Sequence, residues 1–448
     1  MIPDTQHKKT CILDCMLLEK DRAGLIAFIT AIEVLRGGFM EYVILGNGIA
    51  GVCAAETIRQ LDGGGGITMV ADETFTPYSR PMISMVLAGQ VASDQLPIRS
   101  SSFYEDLQIT AVLGNRVSEI DVDQKRVMIH SGPALHFDKL LIATGADPRP
   151  IKAEGMNLKN IFFMRTEAHI RNMLAAIPQT KKALVLGGGL VGFKAAYGLL
   201  QRGLDVTMLI TSDYPLSMQV DATAGRLILD ELRDYGLKVR VGISVEAFDG
   251  NGSVTGAHLS DGTRTSCDLV VVGKGVLPAL SFVPRDKIDI DLGILVNEQM
   301  ETSTAGIFAA GDVAECVDIS RKTRWVNAIW PEAATQGRIA GINMAGRQVS
   351  YKGSLSRNVL RILNLDVMTM GLVNPPETPE YEVICAGEPR RRTYRKLVFR
   401  KNILTGAVLI NAIEQGGIFM GLIQNEIPLN LPNSVLAQPS FNFKQLMI

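Results

Sequence analysis

Short apolar runs that end in glycine turns recur along most of the chain. Tyr42-Val43-Ile44-Leu45 leads into such a turn and then into a helix-like stretch, Ala54 to Leu61. Ile67-Thr68-Met69-Val70 follows the loop Gly63-Gly64-Gly65-Gly66. Later runs are Leu140–Ala143, Ala183–Leu186, Val206–Ile210, Leu269–Val272 and Ile307–Ala310. None alternates polar with apolar residues, and helix-length segments separate them. That pattern predicts parallel sheets covered on both faces. Beyond Gly346 the character changes: Lys396–Phe399 and Ala407–Ile410 flank a turn at Lys401-Asn402, before a helical Gly417–Leu422. This reads as a separate α+β domain.

Residues 1–39 lack both a strand and a glycine-rich turn. Arg36-Gly37-Gly38-Phe39-Met40, read as codons, resembles a purine-rich ribosome-binding site before a start, so the native start is expected at Met40. The alternative is an amphipathic helix over Leu25–Leu35.

At about 150 residues per domain, 448 residues suggest about three domains. Lys+Arg 45 against Asp+Glu 46 gives a net charge of −1, which argues against a nucleic-acid or polybasic membrane protein. No run reaches the roughly 20 apolar residues of a membrane helix. Asp14, Glu19, Lys20 and Asp21 interrupt any signal-peptide core, so a cytoplasmic location is expected. The cysteines Cys11, Cys15, Cys53, Cys267, Cys316 and Cys385 are too scattered for a disulfide scaffold.

Two glycine motifs carry candidate chemistry. Gly46-Asn47-Gly48-Ile49-Ala50-Gly51 lies between a strand and a helix, where backbone N–H groups and a helix N-terminus suit a pyrophosphate. Asp72-Glu73 follows the next strand, where a carboxylate accepts hydrogen bonds from a ribose. Gly187-Gly188-Gly189-Leu190-Val191-Gly192 repeats the arrangement. Its next strand ends in apolar Ile210, followed by Thr211-Ser212-Asp213. No arginine stands nearby to hold a 2′-phosphate. The sequence leaves NADH and NADPH open and leans to NADH, with Asp213 either a ribose contact or a solvated loop acid.

These motifs, in this order, resemble the two-dinucleotide-binding-domain flavoproteins of the pyridine nucleotide-disulfide oxidoreductase superfamily. Three further stretches carry the resemblance: Ala143-Thr144-Gly145-Ala146 with Pro148 and Pro150; Thr302-Ser303 through Ile307-Phe308-Ala309-Ala310-Gly311-Asp312; and Pro77-Tyr78-Ser79-Arg80-Pro81-Met82-Ile83-Ser84. The last is similar to an element of rubredoxin- and ferredoxin-reductase-like members that lies along the flavin. The resemblance implies two Rossmann-like domains plus a C-terminal α+β interface domain that often dimerises. FAD would bind 40–152 and 277–345, NAD(P)H would bind 153–276, and 346–448 would form the C-terminal domain. Gly46, Gly48, Ala50, Gly51, Asp72, Glu73, Arg80, Pro81, Ala143, Thr144, Gly145, Gly311, Asp312 and Trp330 would contact FAD. Gly187, Gly189, Val191, Gly192 and Gly273 would contact the nicotinamide nucleotide. Asp312 inherits a ribityl contact, and Trp330 either shields the flavin or fills a core.

Disulfide reductases of this superfamily carry redox cysteines beside the flavin. Here no cysteine falls between Cys53 and Cys267, so a thiol-less branch is implied, with hydride passing from NAD(P)H to flavin N5 and no metal. Arg80 is expected either to steady negative charge or to form a structural ion pair. Lys194 stands where many members have glutamate near the nicotinamide, and Met85 stands where reductases often have Lys or Arg. Trp330–Gly346 and Leu404–Leu422 resemble the FAD/NAD module of assimilatory nitrite reductase and phenylglyoxylate dehydrogenase-type flavoprotein subunits. The implied function is an NAD(P)H oxidoreductase exchanging electrons with an iron–sulfur protein, a rubredoxin-like protein or a partner subunit. The alternatives are a non-catalytic FAD subunit and an NADH oxidase. Arg390-Arg391-Arg392 with Arg395-Lys396 is either a docking patch for an acidic partner or a solvated run.

Overall fold

The computed structural model describes residues 39–438 and 440–446. The expected start at Met40, the alternative helix over Leu25–Leu35, Cys11 and Cys15 bear on residues 1–38, which lie outside that range.

The first sheet has five parallel strands in the spatial order Ile307–Ala309, Lys139–Ile142, Glu41–Leu45, Gly66–Ala71, Ile109–Leu113. Ile44 is level with both Met69 and Leu141, and Leu141 is level with Phe308. Because all the strands run the same way, their C-terminal ends share one edge. The turns after Leu45, Ala71, Ile142 and Ala309 therefore emerge together, at the edge where ligands bind open α/β sheets.

A second parallel sheet runs Lys238–Val241, Asp205–Ile210, Lys182–Leu186, Leu269–Val272, Ile161–Phe163. Leu269–Val272 is buried at every position, as an apolar run covered on both faces must be. The central strand Lys182–Leu186 has Asp205–Ile210 on one side and Leu269–Val272 on the other. Gly187, Thr211 and Gly273 thus share one edge of this sheet.

The third layer is an antiparallel sheet ordered Arg357–Ile362, Leu365–Gly371, Ile403–Ile410, Thr393–Arg400, Tyr381–Glu388. The helix Gly416–Gln424 covers one face, where Phe419 stacks on Phe441.

Specific contacts dock these sheets. Arg202, which closes the helix Leu190–Gln201, donates to the carbonyls of Leu87 (2.7 Å) and Val86 (3.0 Å) on the helix Ile83–Ala88. That contact ties the second sheet to the first. The helix Ala222–Asp234 starts at Asp221, whose side chain caps the Ala224 N–H at 3.1 Å. Asp221 also accepts from Tyr394 Oη at 2.6 Å, and Glu231 accepts from Asn364 and pairs with Arg392. The antiparallel sheet is thereby fastened to the second.

Inside the first layer, the helices Ile49–Leu61 and Trp330–Met344 touch through glycine. A Cβ on Gly337 would lie 2.1 Å from the Ala50 carbonyl oxygen, and one on Gly341 would lie 2.8 Å from that of Ala54. Gly337→Ala is expected to force the helices apart, at an overpacking cost of about 1–3 kcal/mol, and to lower the thermal midpoint. Gly417→Ala, whose added Cβ meets nothing within 4 Å, should leave the midpoint where it is. Thermal unfolding of both proteins checks this, and matching midpoints would refute the contact's importance.

Candidate functional site

A cavity of about 650 Å³ opens where the three layers meet. That volume lies within the roughly 300–1,000 Å³ that hold a cofactor-sized ligand. Gly46, Gly48, Ala50, Asp72, Glu73, Arg80, Pro81, Ala143, Thr144, Gly145, Gly311, Asp312 and Trp330 line it from the first sheet's edge. Val191 and Lys194 line it from the second sheet's helix, and Arg357, Asn358 and Met420 from the C-terminal layer. Gly51, Gly187, Gly189, Gly192 and Gly273 are not part of its wall. They form the bases of the turns.

Both turns are shaped by close backbone approach. Gly46 and Gly187 hold φ of 117° and 113°, which β-carbon-bearing residues rarely adopt. A Cβ on Gly46 would sit 2.1 Å from the Ala143 oxygen, and one on Gly187 would sit 2.3 Å from the Gly273 oxygen. By contrast, a Cβ on Gly48 or Gly189 meets nothing within 4 Å. Each turn therefore leaves open space at the helix N-terminus, as a pyrophosphate requires.

The acidic pair divides its work. Glu73 pairs with Arg80 and accepts from Tyr78 Oη at 2.8 Å. Arg80 also donates to Tyr78 Oη (3.1 Å) and to the Arg165 carbonyl (3.2 Å), and its guanidinium lies 5.2 Å from the Tyr78 ring. Glu73 is engaged in this network while it also lines the cavity. Asp72 is exposed, lines the cavity and has no hydrogen-bond partner among the described residues. Arg80 takes the structural ion pair while keeping its place on the wall.

Asp312 accepts from Arg165 Nη2 at 2.9 Å, so its carboxylate is charge-balanced before any ligand arrives. Arg165 follows the strand Ile161–Phe163 and carries no local motif, and the sequence reading missed it. It also missed Arg357, which stands on the first strand of the C-terminal sheet and pairs with Glu332 at 3.1 Å. Burial pushes the Glu332 carboxyl up, against the pull of Tyr351 and Arg357. Burial pulls the Lys194 ammonium down, and no carboxylate among the described residues pairs with it.

The thiols stand apart. No cysteine lines the cavity among the described residues. Cys53, Cys267 and Cys316 are buried and free. Burial pushes all three thiols up, Cys267 to about 12. Such thiols stay protonated and are poor nucleophiles.

The members of the basic run have different surroundings. Arg395 is buried, donating to the carbonyls of Leu436 (2.9 Å) and Gln438 (3.0 Å) beneath Phe419. Lys396 is buried against Asp221 at 3.4 Å. Arg392 bridges Glu231 and Asp234, and Arg391 pairs with Glu388 at 3.3 Å. Arg392, Arg395 and Lys396 thus hold the C-terminal sheet together and to the helix Ala222–Asp234, while Arg390 and Arg391 are exposed.

Comparison with known proteins fits this geometry. Residues 40–340 match the family model for pyridine nucleotide-disulphide oxidoreductases, and residues 357–427 match the rubredoxin NAD+ reductase C-terminal domain. The chain is 30% identical to the nitrite reductase [NAD(P)H] of Bacillus subtilis, over 90% of this chain and 49% of that one. It is 28% identical to the epsilon subunit of NADH-dependent phenylglyoxylate dehydrogenase of Aromatoleum evansii, over 91% of this chain and 97% of that one. The chain thus spans about half of the first relative and nearly all of the second. Among solved structures, putidaredoxin reductase in its covalent complex with putidaredoxin superposes with a TM-score of 0.82 at 25% identity, covering 91% of this chain and 98% of that one. With two parallel sheets, paired glycine turns, a shared cavity and a family match over residues 40–340, this chain belongs to the pyridine nucleotide-disulphide oxidoreductase family, as an oxidoreductase that uses FAD and a nicotinamide nucleotide.

Proposed function

We propose that the chain takes electrons from NAD(P)H and passes them to a separate protein, an iron–sulfur protein, a rubredoxin-like protein or a partner subunit, without a thiol relay. The observation that carries this reading is the cavity itself: both glycine-turn helices and the C-terminal sheet reach it, and no described cysteine does. The match of residues 357–427 to a rubredoxin reductase domain supports a protein partner. Three buried, unpaired cysteines suit a reducing compartment, which supports the cytoplasm.

In this reading FAD is held by 40–152 with 277–345, the nicotinamide nucleotide by 153–276, and 346–448 closes the cavity. The pairing of Ile307–Ala309 with Lys139–Ile142 in one sheet supports the split. FAD, when bound, supplies the two-electron acceptor for hydride. The chain supplies position and charge. The Gly46–Gly51 turn cradles the FAD pyrophosphate, Asp72 accepts from its ribose, and Asp312, held by Arg165, accepts from its ribityl chain. Arg80 keeps a positive charge near the ring because Glu73 and Tyr78 fix it there. Trp330 and Pro331 limit water at the ring. Val191 and Lys194 receive the nicotinamide end.

Two outcomes are expected. Asp72→Ala should weaken FAD retention tenfold or more, since a hydrogen bond to a charged group contributes about 1.5–3 kcal/mol. Glu73→Gln should instead lower thermal stability by about 1 kcal/mol while keeping FAD, because that pair is partly exposed and screened. Flavin absorbance after dialysis, with melting curves, separates the two, and the reverse pattern would exchange their roles. In anaerobic titration, one equivalent of NADH or NADPH should bleach the flavin fully. A second equivalent consumed would reveal a hidden redox disulfide. No bleaching by either nucleotide would leave the non-catalytic FAD subunit as the reading.

A further inference from the structure

The second sheet brings together residues that the sequence keeps apart. Lys274 follows Gly273 at the end of Leu269–Val272, and Thr211 follows Ile210 at the end of Asp205–Ile210. These strands flank Lys182–Leu186, so the lysine reaches past the end of the central strand. Its Nζ lies 3.4 Å from Thr211 Oγ1, across 63 residues of sequence. This places an ammonium at the position that, in a Rossmann-type half, decides between a ribose 2′-hydroxyl and a 2′-phosphate.

The local chemistry is that of an anion site. An acid here would accept from a 2′-hydroxyl and repel a phosphate, but the strand ends in Ile210, which lies against Gly188. Thr211 presents its hydroxyl beside the ammonium, whereas the Ser212 hydroxyl donates to the Tyr214 carbonyl at 2.8 Å. Lys274 forms no ion pair among the described residues. Burial pulls its pKa down with no neighbouring charge to offset it. A half-buried cation without a counter-charge is costly, and a dianionic phosphate offsets that cost. Asp213, the one acid of the loop, is exposed and does not pair with Lys274.

We infer that Lys274, with the Thr211 hydroxyl, binds the 2′-phosphate of the nicotinamide nucleotide, so that the chain prefers NADPH to NADH. The sequence leaned the other way because no cation follows Ile210. The fold supplies one from the neighbouring strand end. This inference rests on the proposed binding of a nicotinamide nucleotide by residues 153–276, and it does not require electron transfer.

The test uses the FAD-loaded full chain and two fragments, 2′,5′-ADP and 5′-AMP, titrated by calorimetry at low salt. The 2′,5′-ADP should bind at least tenfold tighter, as one charge-assisted contact of about 1.5–3 kcal/mol implies. Lys274→Met should bring both fragments to the same affinity, and Lys274→Arg should retain the difference. Equal affinities in the unaltered protein would overturn the inference. So would an equal loss for both fragments in Lys274→Met, which would place the lysine on a phosphate they share. A retained 2′,5′-ADP preference with no flavin bleaching by NADPH would overturn the proposed electron transfer and leave the inference standing.

Discussion

Everything at this site depends on the pairing of Lys139–Ile142 with two strands at once. On one side lies Glu41–Leu45, and on the other Ile307–Ala309, which arrives only after the whole second sheet has been built. The parallel register puts the end of each strand at the same edge. Gly46, Thr144 and Gly311-Asp312 therefore meet, although more than half of the chain separates the first from the last. Without that pairing the Gly46–Gly51 turn would not meet Ala143 and Gly311, and the helix Trp330–Met344 could not close on Ala50.

The charged groups of the cavity wall are internally balanced around its first-sheet half. Glu73, Tyr78 and Arg80 satisfy one another, Arg80 reaches the Arg165 carbonyl, and Arg165 holds Asp312. A carboxylate fixed by a guanidinium keeps its orientation without a ligand, so less is lost in ordering it when one binds. Asp72 escapes this compensation, and that distinguishes a residue free to bind from one already committed.

What the sequence made legible was local. Glycine turns, apolar strands and the Gly311-Asp312 turn each declare themselves within a few residues, because their physics is backbone geometry. The stretch without cysteines between Cys53 and Cys267 was legible too, and Cys53 and Cys316 are buried. What stayed hidden was long-range. Arg165 and Arg357 carry no motif, and their partners Asp312 and Glu332 lie far along the chain. The partners of the basic run were hidden for the same reason: Arg392, Arg395 and Lys396 are close in sequence, yet each reaches a different part of the fold.

The second-sheet half is built on the opposite electrostatic plan. Lys194 and Lys274 are both drawn down by burial, and neither has a carboxylate partner among the described residues. A lysine whose folded pKa lies below its unfolded value destabilises the fold at neutral pH, and this penalty fades as pH rises toward the unfolded value. The second-sheet side therefore carries two lysines whose burial no carboxylate among the described residues offsets, while the first-sheet side pairs its charges internally through Arg165 with Asp312 and Arg80 with Glu73.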